Sequence, residues 1–104
     1  MKLEDYTVVS DKLLALANEI EAAKRPAYTG DNTDVLHNFK EVAVRLGLKP
    51  IEVWGVYFLK HIDAITSYVK DQEIPQAEPI ETRFADALNY LKLGLAIIYE
   101  PPPR

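Results

Sequence analysis

The sequence predicts an all-α, single-domain protein that resembles a four-helix bundle. Apolar residues recur at spacings of three and four in four segments, prolines and glycines separate these segments, and no useful stretch alternates with the period of a strand. A chain of 104 residues with 48% hydrophobic residues can form one modest core. We therefore expect one helical domain over residues 1–100 and a flexible proline-rich tail over residues 101–104.

Composition and charge narrow the classes of partner. The net charge is −4 and the basic residues are scattered, so the sequence lacks the basic footprint of a protein that binds duplex nucleic acid. The absence of cysteine excludes disulfides and thiolate metal sites. No stretch reaches the length of a membrane span, and the N-terminus lacks the apolar region of a secretion signal. We expect a cytoplasmic protein that does not bind membranes.

The first helix is predicted from Leu3 to Arg25, because Pro26 interrupts the helical pattern. The following stretch, 26–34, combines proline, glycine, asparagine and aspartate and is predicted to be a loop. Thr33 or Asp34 is expected to cap the second helix.

Glycine and proline mark the ends of the next helices. Gly47 occupies the usual place for the C-terminal stop of helix two. Pro50 suits the first turn of a third helix that runs to about Lys70, and Pro79 suits the opening of a fourth.

The fourth helix is unusual because it is apolar on two faces. One face is predicted to point into the core and consists of Phe84, Leu88, Leu91, Leu95 and Ile98. The other face consists of Tyr90, Leu93 and Ile97, and it also carries the carboxylate of Asp86. A helix with two apolar faces is usually buried on both. Because helix three also has a surplus apolar flank, we expect a homo-oligomer.

Asp86 needs a partner, since an isolated charge on a buried face is very unfavourable. A cation, a metal or a ligand would each satisfy it. Asp63 on helix three could face it across the bundle, and two facing carboxylates are what magnesium bound to a phosphate requires. Alternatively, Arg83 pairs with Asp86 and Lys60 pairs with Asp63 as ordinary ion pairs along each helix.

The segment from Lys24 to Gly30 offers cations, an aromatic ring and a hydroxyl close to the start of a helix. Arg25 could bind phosphate and Tyr28 could stack on a base, with the free N–H groups of helix two near the anion. Alternatively, Arg25 caps helix one electrostatically and Thr29 and Gly30 only turn the chain.

These residues together resemble a known family. The pattern comprises Lys24-Arg25, Tyr28-Thr29-Gly30, Asn38-Phe39, Lys60 with Asp63, and the segment Asp86-Ala87-Leu88-Asn89-Tyr90. It resembles small phage and prophage proteins of the nucleotide modification associated type, which are similar in turn to MazG-like all-α nucleotide pyrophosphohydrolases. The resemblance covers about residues 20 to 98.

The MazG-like resemblance implies an oligomeric helical bundle that binds a nucleoside triphosphate, with magnesium held by acidic residues. Arg83 stands where that pattern has a glutamate three residues before the final aspartate, for which Asp86 can stand. A site with few carboxylates and several cations binds an anion more readily than it holds several magnesium ions.

The leading hypothesis is a phage-type protein that binds a nucleotide or a nucleotide-derived small molecule in the host cytoplasm. The expected ligand contacts are Arg25, Tyr28, Thr29, Gly30, Asn38, Lys60, Asn89 and Tyr90. If the protein is an enzyme, Asp63 and Asp86 would be catalytic, holding Mg²⁺ while water attacks a phosphoanhydride. One alternative is a non-catalytic sponge for a nucleotide signal of host defence, and another is a helical module that binds a partner protein.

Overall fold

The protein consists of four α-helices in its computed structural model, which describes residues 1–29 and 34–101 but not the side chains of residues 27–29. The helices are α1 (Leu3–Thr29), α2 (His37–Leu46), α3 (Pro50–Lys70) and α4 (Ile80–Tyr99). No strand occurs in these described ranges, so the predicted all-α class is confirmed. Over the same residues, no helix combines the length and the apolar character needed to cross a membrane.

The predicted end of helix one is wrong, because α1 continues through Pro26 to Thr29. Proline lacks the N–H group that would bond to the carbonyl four residues earlier, but the residues after it keep theirs. One missing hydrogen bond in the last turns therefore does not end the helix. The predicted loop is consequently wrong over residues 26–29, and residues 30–33 lie outside the described part of the chain.

Asp34 does not cap α2 as predicted, because the N-cap of the helix is Leu36, whose side chain makes no capping hydrogen bond; Asp34 instead organises the turn that precedes the helix. Its Oδ1 accepts a hydrogen bond from the N–H of Leu36 at 2.9 Å, and its carbonyl accepts one from the N–H of His37 at 3.1 Å. The helix begins at His37, later than predicted. Its predicted stop at Gly47 is confirmed: this residue has φ 67°, in the left-handed region that favours glycine, and its N–H donates to the carbonyl of Ala43.

The predicted starts of α3 and α4 are confirmed. Pro50 is the first residue of α3, and the side chain of Glu52 accepts a hydrogen bond from the N–H of Lys49 at 2.9 Å. Pro79 immediately precedes α4.

The core lies between α2, α3 and α4, and α1 packs mainly against α4. Its buried side chains are Leu36, Phe39, Ala43, Val53 and Tyr90. Phe39 and Tyr90 meet edge to face, with ring centroids 6.2 Å apart. Trp54 and Phe58 of α3 are partly buried against this core and stack on each other at 4.9 Å.

The predicted orientation of α4 is wrong, because the face that carries Asp86 and Tyr90 is the buried one. The predicted core face is mostly exposed, with relative exposures of 45% for Phe84, 52% for Leu91, 53% for Leu95 and 67% for Ile98. Ala85, Ala87 and Gly94 lie among the buried residues of α4. Small side chains permit close approach of neighbouring helices, which explains why the face containing them was selected.

Candidate functional site

A cavity of about 220 Å³ lies between α1 and α4, beside the turn before α2. Its apolar walls come from Ile20, Val35, Tyr90, Leu93 and Ala96. Its polar and charged residues are Glu21, Lys24, Arg25, Asp86, Asn89 and Lys92. Apolar walls with a few convergent polar groups are typical of small-molecule sites.

Asp86 is buried and its carboxylate is only partly paired. Its side chain is 6% exposed, and Nζ of Lys24 lies 3.4 Å from Oδ1. Nδ1 of His61 lies 4.0 Å from Oδ2, which is too long for a hydrogen bond. Arg83, one of the predicted partners, instead lies 4.0 Å from Glu78. The expected cation is therefore present, but both contacts are long and leave the carboxylate able to accept further hydrogen bonds.

Asn89 is a second buried polar residue of the cavity wall. Its Nδ2 donates a hydrogen bond of 2.8 Å to the carbonyl of Ala17. Because a carbonyl can only accept, this contact fixes which side of the Asn89 amide is the nitrogen. Among the described residues, its buried Oδ1 has no hydrogen-bond partner. Leaving a buried acceptor unsatisfied costs about 1–3 kcal/mol, so a ligand that donates a hydrogen bond to this oxygen would stabilise the protein.

His61 extends the polar cluster from α3 towards Asp86. Its ring lies against Tyr90, with centroids 4.5 Å apart, and its buried Nδ1 has no hydrogen-bond partner in the described part of the chain. Burial lowers the pKa of His61 because it disfavours the imidazolium, while Asp86 acts in the opposite direction. The nearby charges of Lys24, Arg83 and Lys60 lower the pKa further.

The lowered pKa of His61 predicts a loss of stability in mild acid. The unfolded chain binds a proton at His61 near the usual histidine pKa of 6.5, whereas the folded protein resists protonation there. The free energy of unfolding is therefore expected to fall as the pH decreases below about 6.5, by at most about 1.4 kcal/mol per pH unit. Urea unfolding between pH 7.5 and 5.5 measures this dependence.

Replacing His61 with glutamine should reduce that dependence, because the titrating group is then absent. The matched control is His37→Gln, since His37 lies on α2 beside Glu41 and does not line the cavity. An unchanged pH dependence in His61→Gln would contradict the assignment.

Three cations surround the mouth of the cavity. Glu21 of α1 lies 3.2 Å from Arg25 and 2.9 Å from Lys92, while Lys24 approaches Asp86. The cations thus outnumber the carboxylates, and all three cationic side chains are long enough to reorient towards an anion. This arrangement can bind one negatively charged group beside the apolar cavity.

The structure brings together some of the predicted site residues. Arg25, Asp86, Asn89 and Tyr90 all line the cavity. Asn38 and Lys60 are exposed on α2 and α3 and do not line it. The side chains of Tyr28 and Thr29, and the whole of Gly30, lie outside the described residues.

Sequence reasoning named Lys24 only as one of the cations near the end of helix one, and it missed the other α1 residues that form one face of the site. Ala17, Ile20, Glu21 and Lys24 follow a spacing of three, one and three, which places them on one side of the helix. His61 was missed as well, although it is a polar residue close to the apolar positions of Trp54 and Phe58 on α3. These spacings were visible in the sequence, but their pairing with α4 was not.

The structure does not bring Asp63 and Asp86 together. Asp63 is exposed, and it follows His61 by two positions, a rotation of about 200° around a helix, so it points away from the face that meets Asp86. No group of three or more histidine, aspartate or glutamate side chains suited to a metal ion exists among the described residues. The neighbours of Asp86 are basic, which does not fit a magnesium site built from several carboxylates.

The fold and the cavity define an all-α protein with a cavity of about 220 Å³ between two helices, lined by apolar walls and a few polar and charged groups. Comparisons of the chain with protein-family models, curated proteins and solved structures find no match. Its function is therefore inferred from the geometry and chemistry of the cavity.

Proposed function

We propose that this protein binds a nucleotide or a nucleotide-derived small molecule in the cavity between α1 and α4. The observation that carries the proposal is the pair of buried acceptors, the carboxylate of Asp86 and the unsatisfied Oδ1 of Asn89, in the wall of one apolar cavity. A protein retains such groups at a cost in stability, and ligand donors would offset that cost.

The chemistry of the site matches the two halves of a nucleotide. Ribose hydroxyls and the amino groups of bases are donors that suit Asp86 and Asn89. The side chains of Tyr90 and Leu93 provide an apolar wall for a base or a sugar. Lys24, Arg25 and Lys92 at the mouth suit a phosphate.

The volume of the cavity limits how much of the ligand it can enclose. About 220 Å³ is below the range of about 300–1,000 Å³ typical of pockets that enclose drug-sized ligands. We therefore expect a base or a sugar inside the cavity and the phosphate groups outside, against the cations of the mouth.

Binding without cleavage fits this site better than hydrolysis. The basic surroundings of Asp86 favour an anion, whereas magnesium-assisted hydrolysis needs additional carboxylates. A protein that binds a nucleotide without cleaving it lowers the free concentration of that nucleotide. Together with the resemblance to phage proteins, this supports sequestration of a nucleotide signal in the host cytoplasm as the biological role.

The proposal predicts that one class of nucleotide raises the melting temperature of the protein. Linear and cyclic nucleotides are screened by thermal shift, with and without magnesium, because a ligand that binds only the folded state must stabilise it. A ligand at 100 times its Kd should add about 2.7 kcal/mol to the free energy of unfolding. The bound stoichiometry is then measured by calorimetry.

The same samples distinguish binding from catalysis and from protein recognition. Recovery of intact nucleotide after prolonged incubation is expected, and release of phosphate or pyrophosphate would instead identify a hydrolase. If no nucleotide changes the melting temperature or gives heat of binding, nucleotide binding is refuted and the helical interaction module becomes the better hypothesis.

A further inference from the structure

The exposed face of α4 has the pattern of a helix that packs against another helix. We name it the outer stripe; it consists of Phe84, Leu88, Leu91, Leu95 and Ile98. Its spacing alternates between four and three, which is the heptad repeat of a coiled-coil seam. Four of its five residues are among the exposed large hydrophobic residues of the protein, whereas the opposite side of α4 is buried.

The outer stripe is also free of charge. Between Phe84 and Tyr99 the only charged residues are Asp86 and Lys92. Asp86 is buried on the opposite face, and Lys92 forms an ion pair of 2.9 Å with Glu21. Depletion of charge at an apolar centre distinguishes interfaces from ordinary protein surface.

The apolar surface continues from α4 onto α1. Val9, Leu13 and Leu16 line a groove together with Ile80 and Phe84, and the charged residues Lys12 and Glu81 complete its lining. Beyond this groove, the first residues of α1 are all exposed, including Leu3 at 79% and Tyr6 at 59%. A run of exposed apolar residues at the end of a helix indicates that another chain covers them.

The chain exposes more surface than a compact monomer of its mass would. The chain exposes 7796 Å². A folded monomer of its mass is expected to expose about 5,900 Å², roughly 1,900 Å² less. This excess exceeds the roughly 800 Å² that each partner contributes to an interface of standard size, and it is in the range of obligate homodimers.

The core of the single chain is correspondingly thin. No large side chain within the described ranges is fully buried. The radius of gyration is 15.8 Å, against about 13 Å expected for a compact domain of this length. A second copy would supply the missing layer over α4 and α1.

We propose that a second copy of this chain covers the outer stripe and the exposed start of α1, forming a two-fold symmetric homodimer. The same patch then serves both subunits, and a heptad seam is complementary to itself in such a pairing. The cavity between α1 and α4 lies on the other side of α4, so this inference is independent of the proposed function.

The mass of this chain in solution tests the proposal. Size-exclusion chromatography with light scattering, at about 100 μM, is expected to give twice the monomer mass of 11.8 kDa. Leu91→Glu places a charge in the centre of the stripe and should give the monomer mass. The matched control is Val44→Glu on α2, because Val44 is exposed at 82% but lies outside the stripe; it should remain dimeric.

Two outcomes of this experiment would overturn the homodimer. A monomeric wild-type protein would refute the homodimer and would indicate that a different partner binds the outer stripe. A dimer in Leu91→Glu together with a monomer in Val44→Glu would place the interface elsewhere.

Chemical crosslinking keeps the proposal testable if Leu91→Glu does not fold. The chain has no cysteine, so single-cysteine variants can be made directly. Leu95→Cys should form a covalent dimer with a short bismaleimide, whereas Val44→Cys should stay monomeric under the same conditions. Equal yields from the two variants, or no dimer from Leu95→Cys, would contradict an interface on the outer stripe.

Discussion

Replacing Gly94 with alanine is expected to lower the free energy of unfolding by about 1–3 kcal/mol, the usual cost of overpacking a core. A Cβ at this position would lie 2.5 Å from two ring carbons of Trp54 and 2.9 Å from its Nε1. The indole cannot move away freely, because its Nε1 donates a hydrogen bond of 2.6 Å to the carbonyl of Tyr90 and its ring stacks on Phe58. The new methyl group must therefore displace α3 from α4 or break these contacts.

Gly55 provides a matched control on the neighbouring helix. A Cβ at Gly55 would meet nothing within 4 Å, so Gly55→Ala should be neutral or stabilising by up to about 1 kcal/mol through helix propensity. Urea unfolding followed by circular dichroism measures both variants. Equal stability of Gly94→Ala and the wild type would show that the helices are not this close.

A second substitution identifies Trp54 as the cause of the effect. In a Trp54→Leu background, the smaller side chain leaves room for the methyl group, so Gly94→Ala should cost much less than in the wild type. The difference is the coupling energy of the double-mutant cycle. If the two substitutions change the free energy of unfolding additively, the added methyl group at position 94 clashes with a residue other than Trp54.

Replacing Asp86 with asparagine is expected to weaken nucleotide binding by at least about tenfold while the folded protein keeps or gains stability. Hydrogen bonds to a charged group contribute about 1.5–3 kcal/mol, and the substitution removes the charge and one acceptor. The carboxylate is buried, and its contacts with Lys24 and His61 are long at 3.4 and 4.0 Å. A neutral isostere therefore loses little within the folded protein and avoids the desolvation of a charge.

The affinity is measured by calorimetry with the nucleotide that gives the largest thermal shift in the screen. Asp63→Asn is the matched control, because it makes the same chemical change at an exposed position that does not line the cavity. It should leave the affinity unchanged. If Asp86→Asn binds the nucleotide as tightly as the wild type, Asp86 does not contact the ligand.

Local chemistry explains which parts of the fold were predictable. Gly47, Pro50 and Pro79 act within a few residues of their own position, and the helix boundaries that they predict agree with the structure. Pro26 acts locally too, but its effect is one lost hydrogen bond, which the last turns of α1 tolerate. Whether Pro26 ends the helix therefore depends on the residues around it, and the helix end predicted from Pro26 was wrong.

The partner of Asp86 illustrates what local spacing cannot provide. Sequence spacing suggested Arg83, which precedes it on the same helix, whereas the structure pairs it with Lys24 of α1, 62 positions away in the sequence. Spacing along a helix identifies neighbours within that helix but does not identify neighbours on other helices. Arg25, Asp86, Asn89 and Tyr90 could thus be selected as site residues, but the approach of Lys24 and His61 to Asp86 depends on the packing of three helices.

The sequence by itself determined that the described residues form four helices and that α4 has two apolar faces, because helical periodicity and helix ends depend on neighbouring residues. Only the tertiary structure decided which face of α4 is buried. Hydrophobicity favoured the face of Phe84 and Leu91, yet the face with Gly94 lies against α3 because it lets Trp54 approach closely. Close packing depends on the shapes of both helices, which no single segment encodes.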